Sequence, residues 1–236
     1  MVRLHADVFK RVLASFVLMP ITLTALYAGG VIATSFVALM FVICLCEVYS
    51  VLFLLRSRQS CILLSAWLLY LAISFTGVWR VINDLGSLYL IALTVLTWAS
   101  DSGGYIVGNL VGGCKFAPYI SPNKTWSGAF GSVVFVVVGC TLLVSFGGMD
   151  AFETPFHLVF FAIFVSALVQ LGDLLESLFK RHLSLKDVSN IIPGHGGVVD
   201  RLDGLIMLFF VLGISFWFVP TKQVFCMMGI QSFCGA

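Results

Sequence analysis

A chain of 236 residues could hold one or two soluble domains, but 60% hydrophobic side chains against 10% charged ones exclude an ordinary globular composition. The formal net charge of +2 is too small and too dispersed for a nucleic-acid surface, so nucleic acid is not an expected partner. What remains is an all-α, polytopic integral membrane protein whose surroundings are the lipid bilayer.

The chain opens on Arg3, Lys10 and Arg11 followed by an apolar run, a pattern shared with signal peptides. No small-residue cleavage site leads into a soluble domain, so the run is expected to be the first membrane helix. A crossing takes about 20 apolar residues. Runs of that kind are predicted at 12–29, 31–55, 61–79 and 85–100, punctuated by Gly29-Gly30, Arg56-Ser57-Arg58 and the turn from Arg80 to Asp84. The fourth ends at Asp101, where a glycine-rich segment, SGGYIVGNLVGG, begins. That segment is predicted to be a broken or re-entrant helix, which is tolerated at membrane depth only where it is buried in protein or lines a cavity. Beyond the polar loop SPNKTWSG, crossings are predicted at 129–147, 156–179 and 204–219, giving seven, or eight if the glycine-rich segment crosses. The tail after Pro220, interrupted by Lys222 and Gln231, is expected at the interface. With no internal repeat and no linker, the chain reads as one membrane domain over 1–236, in which 1–100 is scaffold and 101–219 the catalytic region.

The seven cysteines show neither a CxxC pair nor Cys/His spacing suited to zinc, and are expected to be small core hydrophobes without a disulfide framework. With the N-terminus inside and seven crossings, all 13 lysines and arginines except Arg80 and Lys222 fall on the inner side, and the outer loop GGMDAFETP carries none. The positive-inside bias therefore puts the N-terminus in the cytoplasm.

Chemistry concentrates between Gln170 and Asp203. Charges beside hydrocarbon persist mainly where they pair, bind an ion or line a polar cavity. Helical spacing puts Gln170, Asp173, Glu176, Ser177 and Lys180 on one polar stripe, and Asp101, Tyr105 and Asn109 on a second, so two stripes are predicted to face each other across one cavity. The glycines of PGHGG, with Gly196 and Gly197 at its end, permit turns whose N–H groups converge on an anion. Lys180, Arg181, Lys186 and Arg201 suit phosphate oxygens. Crowded carboxylates need a cation to neutralise them, and Asp and Ser oxygens together with phosphate suit magnesium. Metal-binding acids, phosphate-binding bases and a glycine loop describe phosphoryl or nucleotidyl transfer. Glu47, at the end of an apolar run, is expected to snorkel to the interface; Lys115 is expected to be an inner-loop charge, and His5, His157 and His182 interfacial.

The run S-x-x-K-R-x4-K-D-x-S-x3-P-G-H-G-G-x2-D-R-x-D, from Ser177 to Asp203, resembles the signature of the bacterial phosphatidate cytidylyltransferase (CDP-diacylglycerol synthase) family. WASDSGGYIVGNLVGG and ISPNKTWSG extend the resemblance, with Gly104 standing where an alanine is common, and a weaker likeness covers the first two helices ending in Glu47-Val48-Tyr49. It implies transfer of a cytidylyl group from CTP to phosphatidic acid, giving CDP-diacylglycerol and pyrophosphate, in a bacterial cytoplasmic membrane. It implies Asp173, Ser177 and Asp200 as ligands of Mg2+, with K+ as a second metal, and Asp173, Asp200, Lys180 and Arg201 as the catalytic group. Asp101, Lys124, Ser177, Arg181, Lys186, Asp187, His195, Gly196, Gly197 and Asp203 would bind substrate, and a homodimer is left open. A rival reading is an ion-coupled transporter using Asp101, Asp173 and Asp200, which would need no phosphate cradle. A CDP-alcohol phosphotransferase is disfavoured because its spaced aspartate motif is missing.

Overall fold

The computed structural model describes residues 17–55, 58–183, 189 and 197–234. Among these there is no strand, and the chain folds as helices α1 (Val17–Tyr27), α2 (Gly30–Leu55), α3 (Arg58–Asp84), α4 (Ser87–Val111), α5 (Trp126–Ser145), α6 (Pro155–His182), α7 (Val199–Phe218) and α8 (Thr221–Met227). From α2 to α7, the six are long and apolar enough to cross a membrane. Their outer faces carry exposed Val31, Leu39, Phe130 and Phe160, side chains that hydrocarbon covers without cost. The first expected crossing overlaps α1, the described part of which is shorter than a span.

The glycine-rich segment after Asp101 is not a separate re-entrant element. It completes α4, which runs unbroken to Val111. Its glycines are packing surfaces: a side chain at Gly103 would meet the Gly131 carbonyl at 2.6 Å, and one at Gly128 would meet the Gly104 carbonyl at 2.7 Å. Small residues at both sides let α4 and α5 approach backbone to backbone, the usual basis of helix association in lipid. Two further crossings work the same way. Gly77 of α3 meets Phe209 and Gly213 of α7, and Gly172 of α6 meets Asp203 and Gly204 of α7.

Helix starts follow ordinary capping chemistry. The Thr154 hydroxyl accepts from His157 N at 3.3 Å ahead of Pro155, and the Thr125 hydroxyl accepts from Gly128 N at 3.1 Å ahead of α5. By contrast, Val198 ahead of α7 supplies no side-chain cap.

The tail does more than rest at the interface. Val224, Phe225, Met228 and Ile230 are buried, Glu153 N donates to the Gly229 carbonyl at 2.8 Å, and Gln231 N donates to Ala151 O at 3.0 Å. Tyr89 and Ser232 both donate to Asp150, and Thr221 to Asp84, so the tail closes one end of the bundle. Cys226 and Cys234 are disulfide-bonded there, contrary to the expectation of free core cysteines. Of the others, Cys44 and Cys140 are buried, while Cys46, Cys61 and Cys114 are exposed.

Candidate active site

At the opposite end, α4, α5, α6 and the start of α7 enclose an open cavity of about 760 Å³, within the range of roughly 300–1,000 Å³ common for ligand sites. Asp101, Tyr105 and Asn109 of α4 line one wall; Gln170, Asp173, Glu176 and Lys180 of α6, with Asp200, Arg201 and Asp203 of α7, line the other. The two polar stripes expected from helical spacing therefore do face each other.

Local structure explains the placement of each charge. The loop before α5 doubles back on itself, with Trp126 N donating to Cys114 O at 3.0 Å and Phe116 N to Lys124 O at 3.3 Å. That fold directs Lys124 across to α6, where its ammonium lies 2.8 Å from Asp173 Oδ2 and 3.1 Å from the Gln170 carbonyl oxygen. Close packing at Gly172 draws α7 against α6 and sets Asp203 beside Asp173. Lys180 spans the same two helices, 2.8 Å from Glu176 Oε2 and 3.0 Å from Asp200 Oδ1.

The oxygens of Asp173, Glu176 and Asp203 lie within 4.8 Å of one another, a grouping able to hold a metal ion. Glu176 is 2% exposed, and its Oε1 has no hydrogen-bond partner among the described residues. An unpaired buried carboxylate oxygen is costly, and an oxygen-preferring divalent cation would satisfy it. The expected metal set of Asp173, Ser177 and Asp200 meets this cluster at Asp173 alone. Asp200 is engaged by Lys180 and, through Oδ2, by Gly197 N at 2.7 Å, while the Ser177 hydroxyl donates to Asp173 Oδ1 at 3.4 Å.

The chain matches the cytidylyltransferase family over residues 78–219, more than half its length. The chain belongs to the cytidylyltransferase family. Similar proteins named phosphatidate cytidylyltransferase occur in Bacillus subtilis, at 39% identity over 57% of this chain and 51% of that one. The Helicobacter pylori protein is 44% identical over 62% of this chain and 53% of that one, and the Staphylococcus epidermidis protein 34% identical over 78% and 67%. The match thus spans about half the length of the first two of these relatives.

In this chain the matched stretch runs from the end of α3 to the end of α7 and takes in the whole cavity lining. Ser177, Arg181 and Gly197 lie outside that lining. Lys186, Asp187, His195 and Gly196 fall outside the described residues. Lys115, expected as a bystander charge, lines the cavity. Glu47 is the larger surprise. Instead of snorkelling it is 1% exposed and accepts from Val198 N at 2.8 Å, Val199 N at 2.9 Å and the Ser189 hydroxyl at 2.6 Å. An acid within an apolar run was the available signal, but its partners lie more than 140 residues away.

Proposed function

We propose that the chain transfers a cytidylyl group from CTP to phosphatidic acid, releasing pyrophosphate and forming CDP-diacylglycerol. The observation that carries this reading is a cavity in which three clustered carboxylates adjoin Lys124, Lys180 and Arg201 at one end of a membrane bundle. A polar nucleotide and a lipid phosphate can both reach such a site. The names of the relatives support the same substrates, and the family match does not favour ion-coupled transport.

Charge decides how the site must work. Among the described residues five carboxylates and four cationic side chains line the cavity, so these residues alone supply no positive excess with which to hold a nucleoside triphosphate and a lipid phosphate together. Asp173, Glu176 and Asp203 would hold a divalent cation such as Mg2+, which would supply the missing positive charge and shield the phosphates. A monovalent ion such as K+ would be a further source.

In the reaction, an oxygen of the lipid phosphate attacks the α-phosphorus of CTP. The bond from that phosphorus to the bridging oxygen of the β-phosphate breaks, and pyrophosphate leaves with the electron pair. The attacking oxygen is already an anion near neutral pH, so no general base is required. Lys124, Lys180 and Arg201 hold and screen the phosphates, and Asp200 fixes Lys180 in place. Positioning and electrostatics then account for the rate. Lys186, Asp187, His195 and Gly196 keep the substrate-binding roles that the family resemblance implies, and Asp101 lines the nucleotide side.

The concentration of lysine and arginine at the cavity end rather than the tail end supports a cytoplasmic orientation in a bacterial inner membrane, with residues 101–219 as the reacting part of a single domain. The test is to supply the purified chain with labelled CTP, phosphatidic acid and Mg2+, across a series of monovalent ions. Equimolar CDP-diacylglycerol and pyrophosphate are expected. No product from folded protein would overturn the reading.

A further inference from the structure

We infer that Glu47 is a positioning residue for this reaction: from α2 it holds the first turn of α7 so that Asp200 and Arg201 enter the cavity at a fixed place. The inference rests on the function proposed above and adds a residue outside the matched stretch 78–219.

A helix begins with N–H groups that have no partner inside the helix. α7 has no cap of its own at Val198, yet three consecutive N–H groups at its start are satisfied by two carboxylates. Asp200 Oδ2 accepts from Gly197 N at 2.7 Å, while Glu47 Oε1 and Oε2 accept from Val198 N and Val199 N at 2.8 and 2.9 Å. The negative charge of Glu47 sits at the positive end of the helix dipole, where it is favoured. Its Oε1 also accepts from the Ser189 hydroxyl at 2.6 Å, so one carboxylate ties together the residues on either side of 190–196.

There is little slack in this arrangement. A side-chain carbon at Gly197 would lie 2.9 Å from Glu47 Oε2 and 3.1 Å from Asp200 Oδ2. Next to Glu47, Cys44 and Val48 share an apolar cluster with Phe179, Val198 and Val199. Phe179 immediately precedes Lys180, and Val199 immediately precedes Asp200. One side of the Lys180–Asp200 pair is thus set by apolar packing, and the other by the capped helix start. Without the Glu47 carboxylate, the freed N–H groups compete for Asp200, the acceptor already at that turn. Asp200 is then drawn from Lys180, and Arg201 moves with it. Glu47 touches no reacting atom, so its effect is on geometry.

The test compares Glu47→Gln, which keeps the shape and one acceptor, with Glu47→Ala and with Glu47→Asp, which keeps the charge but draws it back by one methylene. All are made in the full chain in detergent, and turnover is counted per folded molecule. For Glu47→Gln the expected result is a fall in kcat of about 10- to 100-fold, as a displacement near 1 Å produces, with the KM for CTP changed by less than about threefold. Glu47→Ala should be worse, and Glu47→Asp should lower kcat by less. Hydrogen exchange read by mass spectrometry should quicken across Gly197–Leu202 in Glu47→Gln and stay unchanged in the second half of α7. Normal kcat per folded Glu47→Gln molecule, or unchanged exchange at the helix start, overturns the inference. If Glu47→Gln or Glu47→Ala fails to fold, Glu47→Asp decides alone by the same two measurements. A wild-type chain without cytidylyl transfer would overturn the proposed function instead, and the exchange measurement would still test the clamp.

Discussion

The Lys124 ammonium stands 2.8 Å from the Asp173 carboxylate, tying the loop ahead of α5 to the middle of α6. The lysine is the more enclosed partner, with 15% of its side chain exposed against 42% for the aspartate. A pair that open to solvent contributes little to stability, about 1 kcal/mol or less, so its value lies in where it puts the charge.

Lys124→Ala should therefore lower kcat/KM for CTP by about 100-fold, which corresponds to about 2.7 kcal/mol of transition-state stabilisation. Thermal unfolding should move by only a few degrees. Lys124→Arg should recover part of the activity, because charge is kept while the reach changes. Steady-state kinetics beside a melting curve check this, and a loss of stability matching the loss of activity would make Lys124 a structural residue.

Gly172→Ala opposes two effects of known size. Alanine favours a helix over glycine by about 1 kcal/mol, but the new carbon would lie 2.4 Å from the Asp203 carbonyl oxygen and 2.9 Å from Gly204 Cα. Overpacking costs about 1–3 kcal/mol where side chains can yield, and here the obstacle is backbone. The expected outcome is net destabilisation of about 1–2 kcal/mol, with reduced turnover as Asp203 is pushed from Asp173. A denaturation curve and an activity assay on the same sample measure both.

Glu176→Gln removes a negative charge from the three-carboxylate cluster while leaving Lys180 its contact with Asp200 at 3.0 Å. The Mg2+ concentration giving half-maximal turnover should rise by about tenfold or more, on the scale seen when groups supporting a metal are altered. At saturating Mg2+ the KM for CTP should change little. An unchanged Mg2+ requirement would remove Glu176 from the metal site.

The two ends of the bundle carry native cysteines that report on sidedness. Cys114 is exposed beside the cavity, and Cys226 and Cys234 are paired at the other end. Disulfides persist in oxidising compartments. In spheroplasts, an impermeant maleimide should reach Cys226 and Cys234 after reduction, and Cys114 only after the membrane is permeabilised. With Cys46 and Cys61 replaced by Ser, labelling in the reverse order would invert the orientation.

Helix positions were readable from the chain because membrane-length apolar runs are nearly self-sufficient signals, and the 3.6-residue period fixed which polar groups share a wall. Glycine and sequence distance hide the rest. The glycines after Asp101 suggested a broken helix, whereas they let α5 come close to an unbroken one. Asp173 was found from its stripe, but its grouping with Asp203 depends on the α6–α7 crossing, which no local pattern encodes. Glu47 was misplaced because an acid in an apolar run looks alike whether it reaches outward to water or inward to a helix start. The Cys226–Cys234 pair escaped notice because an eight-residue spacing has no meaning until the tail turns back on itself.

The glycine contacts described above group the cavity wall into two closely packed halves. α4 and α5 are pressed together at Gly103 and Gly128, and α6 and α7 at Gly172, each with backbone against side-chain-free backbone. At these points the helices approach so closely that an added side-chain carbon would meet the partner's backbone carbonyl oxygen at 2.4–2.7 Å. Lys124 and Asp173 belong to different halves, so their ion pair bridges the seam between them. An anionic ligand that takes Lys124 from Asp173 would exchange one anion for another across that seam, and the ion pair joining the two glycine-pressed halves would open.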